Sequence, residues 1–178
     1  MPELIGYFVK RPGTPSEWIR AAVVEEVCSV ADCCSEEPES WMDHWIHNCF
    51  WLFDTPELAR SVVPETDHSR YDLFAYRLFP YEWEEGIQVP FQIPPLKIQT
   101  LPPTFERLGC DIVSRTMGNA FEHSPLSCNG WVDRVAVNRC CLVDAPQIAF
   151  QLAVQFEAGC AEPGPYFVVE VWREKRSP

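Results

Sequence analysis

Residues 144–159 read DAPQIAFQLAVQFEAG and residues 166–172 read YFVVEVW, and these two neighbouring stretches decide the fold class. In the first stretch, Asp144 can cap a helix, Pro146 suits its first turn, and Gly159 suits its end. Apolar residues recur between these ends at spacings of three and four, which indicates one buried face. The second stretch is a short, almost uninterrupted apolar run, which predicts a buried strand. The sequence therefore predicts a helix followed by a core strand.

The segments before this pair alternate irregularly between strand and helix. β-Branched and aromatic runs bounded by proline or glycine predict strands at residues 3–11, 71–79 and 110–115. Capping patterns predict helices at residues 14–26, 40–52 and 56–63, with one helical turn at 105–108. Because strands and helices follow no βαβ rhythm, we expect an α+β fold, with a mixed or mainly antiparallel sheet and three to four helices packed on it.

The chain has 178 residues, which is the length of one ordinary domain, so we expect residues 1–178 to form a single α+β domain. Residues 88–103 are rich in proline and carry one charge, Lys97. Since proline fixes φ and lacks a backbone donor, this segment is expected to be an extended crossing over the surface. No internal repeat is expected from the sequence.

The composition is strongly acidic, with a formal net charge of −12 at pH 7. Proteins that bind nucleic acids or anionic membranes do so through clusters of lysine and arginine, so neither is an expected partner. The first residues lack the basic and then apolar pattern of an export signal, which favours a cytoplasmic location. In a reducing compartment the nine cysteines would mostly be buried free thiols.

Residues 121–131 read FEHSPLSCNGW and bring several reactive side chains into one short segment. A thiolate is a nucleophile when an imidazole can take its proton, so Cys128 and His123 are a candidate catalytic pair, and Glu122 is a candidate general base. Such a site would make the protein a transferase or hydrolase. The same composition also fits an ordinary polar loop between strands. The candidate binding groups beside these residues are Ser124, Ser127 and Asn129.

Cysteines and histidines between positions 28 and 47 have a loose zinc-like spacing, C-x4-C followed by H-x2-H. The tight C-x2-C knuckle of most structural zinc sites is missing, so a tryptophan-rich core helix explains the same residues. The sequence therefore predicts no cofactor. A zinc-stabilised module stays as an alternative, with Cys28, Cys33, His44 and His47 as its ligands.

Residues 21–59 contain many carboxylates and neither lysine nor arginine, and tryptophans lie in the same segment. A solvated face is the commonest meaning of such a run, but tryptophans within a field of one sign also suit the docking of a basic protein. The leading hypothesis is a non-enzymatic binding protein of the inhibitor or immunity type. Its expected contacts are Glu36, Glu37, Glu39, Trp41, Asp43 and Trp45, and a second acidic group, Glu82, Glu84 and Glu85, surrounds Trp83.

Arg77 lies on one predicted strand and Glu170 on another, so the two could meet across the sheet. An arginine beside a carboxylate in a pocket would suit a transferase that acts on nucleotides. Arg77 is therefore a further candidate binding residue.

Overall fold

The computed structural model describes residues 1–31, 36–38, 46–98, 100–115, 120–159 and 164–175. They form a five-stranded antiparallel sheet with helices packed on it, which confirms the predicted α+β fold. The strands are β1 (Glu3–Lys10), β2 (Asp72–Glu84), β3 (Ile87–Pro90), β4 (Phe105–Ser114) and β5 (Tyr166–Glu174). Their order is β1-β2-β5-β4, and β3 pairs with the end of β2.

The helices of the described residues are short except for the last. They are α1 (Pro56–Ser61), α2 (Pro125–Cys128) and α3 (Pro146–Gly159), with 3-10 helices at Glu65–Arg70 and Trp131–Arg134. Thr55 caps α1, because its hydroxyl accepts a hydrogen bond of 3.2 Å from the Leu58 N–H. Within the part of the chain that the structure describes, no helix combines the length and the apolar character needed to cross a bilayer.

The apolar face of α3 covers β4 and β5 and forms one of two core clusters. Residues two apart on a strand point to the same face, so alternate residues in the covered part of each strand meet the helix. Burying a Leu, Val or Phe side chain contributes roughly 1.5–3 kcal/mol, which makes this contact a main source of stability. The helix contributes Ala149, Leu152, Ala153 and Phe156, and the strands contribute Cys110, Ile112, Tyr166 and Val168.

The sheet is built from two copies of one strand–turn–helix–strand unit. In the first copy β1, the turn 48–54, α1 and β2 follow one another, and in the second β4, the turn 138–144, α3 and β5 do so. The strand order is symmetric about the contact between β2 and β5. The expectation of no internal repeat is therefore wrong. The repeat is visible in the sequence, where Asn48, Leu52, Asp54, Pro56 and Ala59 recur with identical spacing as Asn138, Leu142, Asp144, Pro146 and Ala149.

One asparagine organises the turn of the first copy. The Asn48 side-chain oxygen accepts hydrogen bonds from the N–H groups of Phe50 (2.9 Å) and Leu52 (3.4 Å). Its amide nitrogen donates to the Ile5 carbonyl (2.9 Å) and to the Asp54 carboxylate (3.1 Å). One side chain thus closes the turn, joins it to β1 and holds the residue before α1.

The second copy repeats this arrangement bond by bond. The Asn138 oxygen accepts from the N–H groups of Cys140 (2.9 Å) and Leu142 (3.3 Å). Its nitrogen donates to the Leu108 carbonyl (2.8 Å) and the Asp144 carboxylate (2.8 Å). The two turns therefore share a geometry although most of their residues differ.

Each turn lies so close to its strand that only glycine fits opposite it. Gly6 has φ of 147° and Gly109 has φ of 156°, and both lie at irregularities in the strand register. A Cβ atom would approach the Cβ of Leu52 to 2.5 Å at Gly6, and that of Leu142 to 2.8 Å at Gly109. Both the close approach and the positive φ exclude a side chain here.

Three helix predictions are wrong. Residues 46–54 form the Asn48 turn, because the side-chain hydrogen bonds of Asn48 and the pairing of Tyr7 with Phe53 hold them; residues 40–45 lie outside the described residues. Residues 14–26 contain no helix, since their end instead pairs with the chain near Arg139. Residues 105–108 begin β4. In each case hydrogen bonds to a distant segment replace the local helical ones.

The proline-rich crossing takes up less of the chain than its predicted range, because residues 87–90 pair with β2 as β3. Residues 91–98 and 100–104 have no regular secondary structure. Their apolar side chains pack against the core cluster around β1 and β2. These side chains include Phe91, Ile93, Leu96, Ile98 and Leu101.

Candidate functional site

The segment 121–131 contributes to the core. Ser124 is fully buried, and its hydroxyl donates a 2.6 Å hydrogen bond to the Asp111 carboxylate. Ser127 is also buried, and its hydroxyl lies 3.5 Å from the Ser124 carbonyl. Of the predicted binding serines, Ser124 therefore holds the loop against β4, and Ser127 bonds within the loop.

Asp111 is the centre of a buried polar network that the sequence analysis missed. Its carboxylate also accepts hydrogen bonds from the Ser29 hydroxyl (2.6 Å) and the Val30 N–H (2.8 Å). Burial raises the pKa of Asp111, while these donors and the charge of Lys10 oppose that rise. Lys10 is itself buried and donates to the Ser29 carbonyl. A single Asp in an apolar strand carries no sequence signal that could identify such a network.

The candidate catalytic residues are not arranged as a catalytic set. Cys128 is in a disulfide bond, and a disulfide sulfur cannot act as the attacking thiolate. The backbone of His123 pairs with Ser114, and within the described residues no hydrogen bond joins its imidazole to Cys128. Glu122 is half-buried and donates its N–H to the Ser114 carbonyl, and Asn129 is half-buried directly after α2.

Arg77 and Glu170 do meet, as the sequence suggests. They are directly opposite in the β2–β5 register, and the guanidinium lies 3.5 Å from the Glu170 carboxylate. Arg107 binds the other oxygen of the same carboxylate at 3.1 Å, and Arg77 also donates to the Pro2 carbonyl at 2.9 Å. The Arg77–Glu170 ion pair therefore connects β2 to β5, and so joins the two halves of the sheet.

The acidic segment 21–59 is partly neutralised by arginines from elsewhere in the chain. Glu37 is half-buried, while Glu39, Trp41, Asp43 and Trp45 lie outside the described residues. Exposed ion pairs add little stability, but they do cancel the field that a partner would sense. The neutralised pairs are Glu25 with Arg139 (3.4 Å), Glu26 with Arg173 (2.9 Å) and Glu36 with Arg11 (2.7 Å).

The second acidic group lies on a hairpin that extends from the sheet. β2 and β3 are joined by Glu85 and Gly86, whose φ values of 51° and 75° resemble those of a type I′ turn. Glu82 is opposite Val89, and Glu84 is opposite Ile87, so these four side chains share one face of the hairpin. We call these four residues and Glu85 the hairpin patch.

The hairpin patch combines exposed apolar surface with carboxylates that repel one another. Ile87 is 62% exposed and Val89 is 37% exposed. Partial burial and the charge of Glu84 raise the pKa of Glu82, and Arg115 compensates only in part. Within the described residues no salt bridge neutralises Glu82, Glu84 or Glu85. The patch therefore keeps a negative field that segment 21–59 partly loses.

Of the four predicted zinc ligands, the structure describes Cys28 and His47. Cys33 and His44 lie outside the described residues, and the His47 ring stacks on Trp51 with a centroid distance of 4.7 Å. Cys28 instead lies beside Cys140 and Glu26, and one ligand atom from each of these three lies within 4.8 Å of the others. The sequence identified one of these three residues, Cys28, but nothing local connects it to a cysteine in the second half of the chain.

The two thiols lie behind a polar cavity. A hydrogen bond that Cys28 donates to Cys140, together with burial, raises the pKa of Cys28, while the same hydrogen bond lowers the pKa of Cys140. Glu26 reaches from the thiols to a cavity of about 610 Å³, where Arg173 also lies.

A scan against protein-family models, a search of curated proteins and a search of solved structures each find no match to this chain.

Proposed function

We propose that the protein is a binding protein of the inhibitor or immunity type, and that it docks a basic protein partner through the hairpin patch. The observation that carries this proposal is the pairing of unneutralised carboxylates with exposed apolar side chains on one face of the hairpin. The partner expected from this chemistry presents lysine or arginine side chains that alternate with apolar ones, as on a basic strand.

The hairpin patch differs from the acidic segment 21–59 in how far its carboxylates are neutralised. There, Glu25, Glu26 and Glu36 each have an arginine of the same chain at salt-bridge distance. On the hairpin patch Glu84 and Glu85 are exposed beside Ile87 and Val89, while Glu82 is half-buried and only partly compensated by the charge of Arg115. An apolar centre with an unneutralised charged rim is the usual anatomy of a docking site, because the apolar contact supplies affinity and the field speeds encounter.

Backbone strain at the hairpin tip also supports a binding function for the hairpin patch. Glu85 adopts φ of 51°, a conformation that asparagine, aspartate and glycine accept more readily. A glutamate at this position destabilises the protein, but it adds a third negative charge to the hairpin patch. Strain that is retained at one exposed position is a reason to look for a function of that side chain.

Edge protection is the competing explanation. Charged side chains on an outer strand keep it from pairing with other chains, and β3 is such a strand within the described residues. Edge protection requires no partner, so it predicts that the hairpin binds a basic strand no better than the rest of the surface does.

The test is a titration with an eight-residue peptide of alternating lysine and valine, followed by amide chemical shifts. We expect shifts concentrated at residues 82–90 and binding that weakens as salt rises. Replacing Glu82, Glu84 and Glu85 with lysine should weaken binding by about tenfold or more, or about 1.4 kcal/mol.

A matched variant changes the net charge by the same amount elsewhere. It carries Glu3→Lys, Glu17→Lys and Glu65→Lys, all at exposed positions, and it should keep most of the affinity. A peptide of alternating glutamate and valine should not bind. Equal losses in the two lysine variants, or shifts centred on residues 21–59, would refute docking at the hairpin patch.

A further inference from the structure

We propose that Glu26, Cys28 and Cys140 form a zinc-binding site that opens to the polar cavity beside Arg173. This site is separate from the hairpin patch and does not depend on the proposed docking function. It uses one of the four residues that the sequence suggests as zinc ligands, and it adds two residues that the fold brings to it.

The three side chains already lie close to tetrahedral spacing. Their ligand atoms lie within 4.8 Å of one another, and the Cys140 sulfur is 3.4 Å from a Glu26 oxygen. With zinc bonds of about 2.0–2.3 Å, tetrahedral ligand atoms are about 3.3–3.8 Å apart. Side-chain adjustments of about 1 Å would therefore complete the geometry.

The backbone holds the ligands in place from both halves of the molecule. The N–H groups of Glu25 and Glu26 both donate to the Arg139 carbonyl, at 2.9 and 3.1 Å. The Cys28 N–H donates to the Cys140 carbonyl at 3.1 Å. Because both sulfurs are carried on paired segments, little conformational entropy would be lost on binding a metal.

The internal repeat shows that the fold does not require a thiol at Cys140. In the first copy the equivalent turn position holds Phe50, which is 2% exposed in the core. In the second copy the same backbone position directs Cys140 to Cys28 and to the Glu26 carboxylate. A thiol at this position is therefore a local feature of the second turn, beyond what the shared turn needs.

Arg173 supplies the charge balance that such a site needs. One of its nitrogens lies 2.9 Å from each oxygen of Glu26 and 3.5 Å from Asp72. Two thiolates and the carboxylates of Glu26 and Asp72 carry four negative charges, of which a zinc ion and this guanidinium would together neutralise three. An arginine that orients a ligating carboxylate is the kind of outer contact that tunes metal sites.

The ligand types select the metal. Thiolates are soft ligands that favour zinc over magnesium or calcium, which prefer oxygen. Three protein ligands leave a fourth position, and the cavity of about 610 Å³ on the Glu26 side can supply a water molecule to it. Zinc with one open position is therefore the chemistry that these residues fit.

The test uses the full chain with its Cys128 disulfide bond intact, after treatment with a chelator under nitrogen, with zinc as the probe. Competition with a chromogenic chelator should show one tightly bound zinc ion per chain. Replacing zinc with cobalt should produce a thiolate-to-cobalt charge-transfer band. Cys28→Ser and Cys140→Ser should each weaken zinc binding by about a hundredfold or more, and Glu26→Gln by about tenfold.

Cys49→Ser is the matched control, because Cys49 is a free thiol outside the cluster, and it should bind zinc as the unaltered chain does. Circular dichroism verifies that each variant is folded. If any variant fails to fold, the charge-transfer band of the cobalt-loaded unaltered chain still tests thiolate ligation. Failure of the unaltered chain to bind zinc, or zinc binding by both cysteine variants as tight as that of the unaltered chain, would overturn the proposal.

Discussion

Asn48 and Asn138 show how one side chain can specify a turn. Each makes four side-chain hydrogen bonds with the same types of partner, two as acceptor and two as donor. Asparagine fits because its amide offers a carbonyl oxygen and an NH₂ group on a short stem. Aspartate could accept the two N–H groups but could not donate to the strand carbonyl.

We predict that Asn48→Ala and Asn138→Ala each destabilise the protein by about 2–4 kcal/mol, because the partly buried backbone groups lose their partners. Urea denaturation followed by tryptophan fluorescence measures the change. Gln155→Ala, at an exposed position of α3, is the control and should stay within about 0.5 kcal/mol of the unaltered chain. A loss below about 1 kcal/mol for both asparagines would contradict the structural role given to these turns.

At the scale of one element, the residues at the base of the β2–β3 hairpin stabilise the fold, whereas those at its tip are proposed to bind the partner. Trp83 is 1% exposed and stacks on Phe150 of α3 with a centroid distance of 5.3 Å, so the base of the hairpin is fixed. A Cβ atom at Gly86 would meet nothing within 4 Å, so the tip extends into open space. Substitutions at the tip should therefore leave the core unchanged.

We predict that Glu85→Asn stabilises the protein by about 0.5–1 kcal/mol, because asparagine tolerates positive φ better than glutamate does. The same substitution should weaken binding of the lysine–valine peptide. Glu84→Asn removes an equal charge from a strand position, where asparagine is unfavourable, so it should not stabilise. Thermal melts of both variants test this difference in stability. Equal melting temperatures would show that the strain at position 85 is negligible.

At the scale of the whole molecule, the two strand–turn–helix–strand units depend on one another. They join through the antiparallel contact of β2 with β5, which the Arg77–Glu170 pair crosses. Either unit alone would expose the buried residues of its central strand. Small sheets without such a partner are marginally stable in water.

We predict that fragments 1–94 and 95–178, divided in the exposed part of the crossing, do not fold separately but do assemble when mixed. Near-ultraviolet circular dichroism should show fixed aromatic packing only in the mixture. Cooperative thermal unfolding of either fragment alone would show that the units are independent. The unaltered chain at the same concentration is the reference for complete assembly.

The predictions from sequence succeeded where a segment carries its own pattern. The strand at residues 166–172 and the helix before it have continuous apolar faces, and both appear as β5 and α3. The helix expected through Trp45 and Cys49 had similar spacing, but a single asparagine holds the described part as a turn. Side-chain hydrogen bonds to distant backbone leave no periodic trace, so they cannot be predicted by pattern.

The candidate sites were less predictable. The reactive side chains of residues 121–131 suggested catalysis. In the structure the Ser124 hydroxyl donates a hydrogen bond to the buried Asp111 carboxylate on β4, and Cys128 is in a disulfide bond. Cys28 was recognised as a possible ligand, yet Cys140 comes from the other repeat. Composition identifies reactive side chains, whereas their proximity depends on loops closed over long sequence separations.

By itself, the sequence determined the α+β class, the positions of β1, β5 and α3, and the excess of negative charge. These properties depend on local periodicity and composition, which each segment carries alone. Only the tertiary structure decided which carboxylates keep their field and which thiols become neighbours, because both depend on partners that lie far away in the chain. That is why Glu36 pairs with Arg11 while the hairpin patch keeps its charge, and why Cys28 meets Cys140.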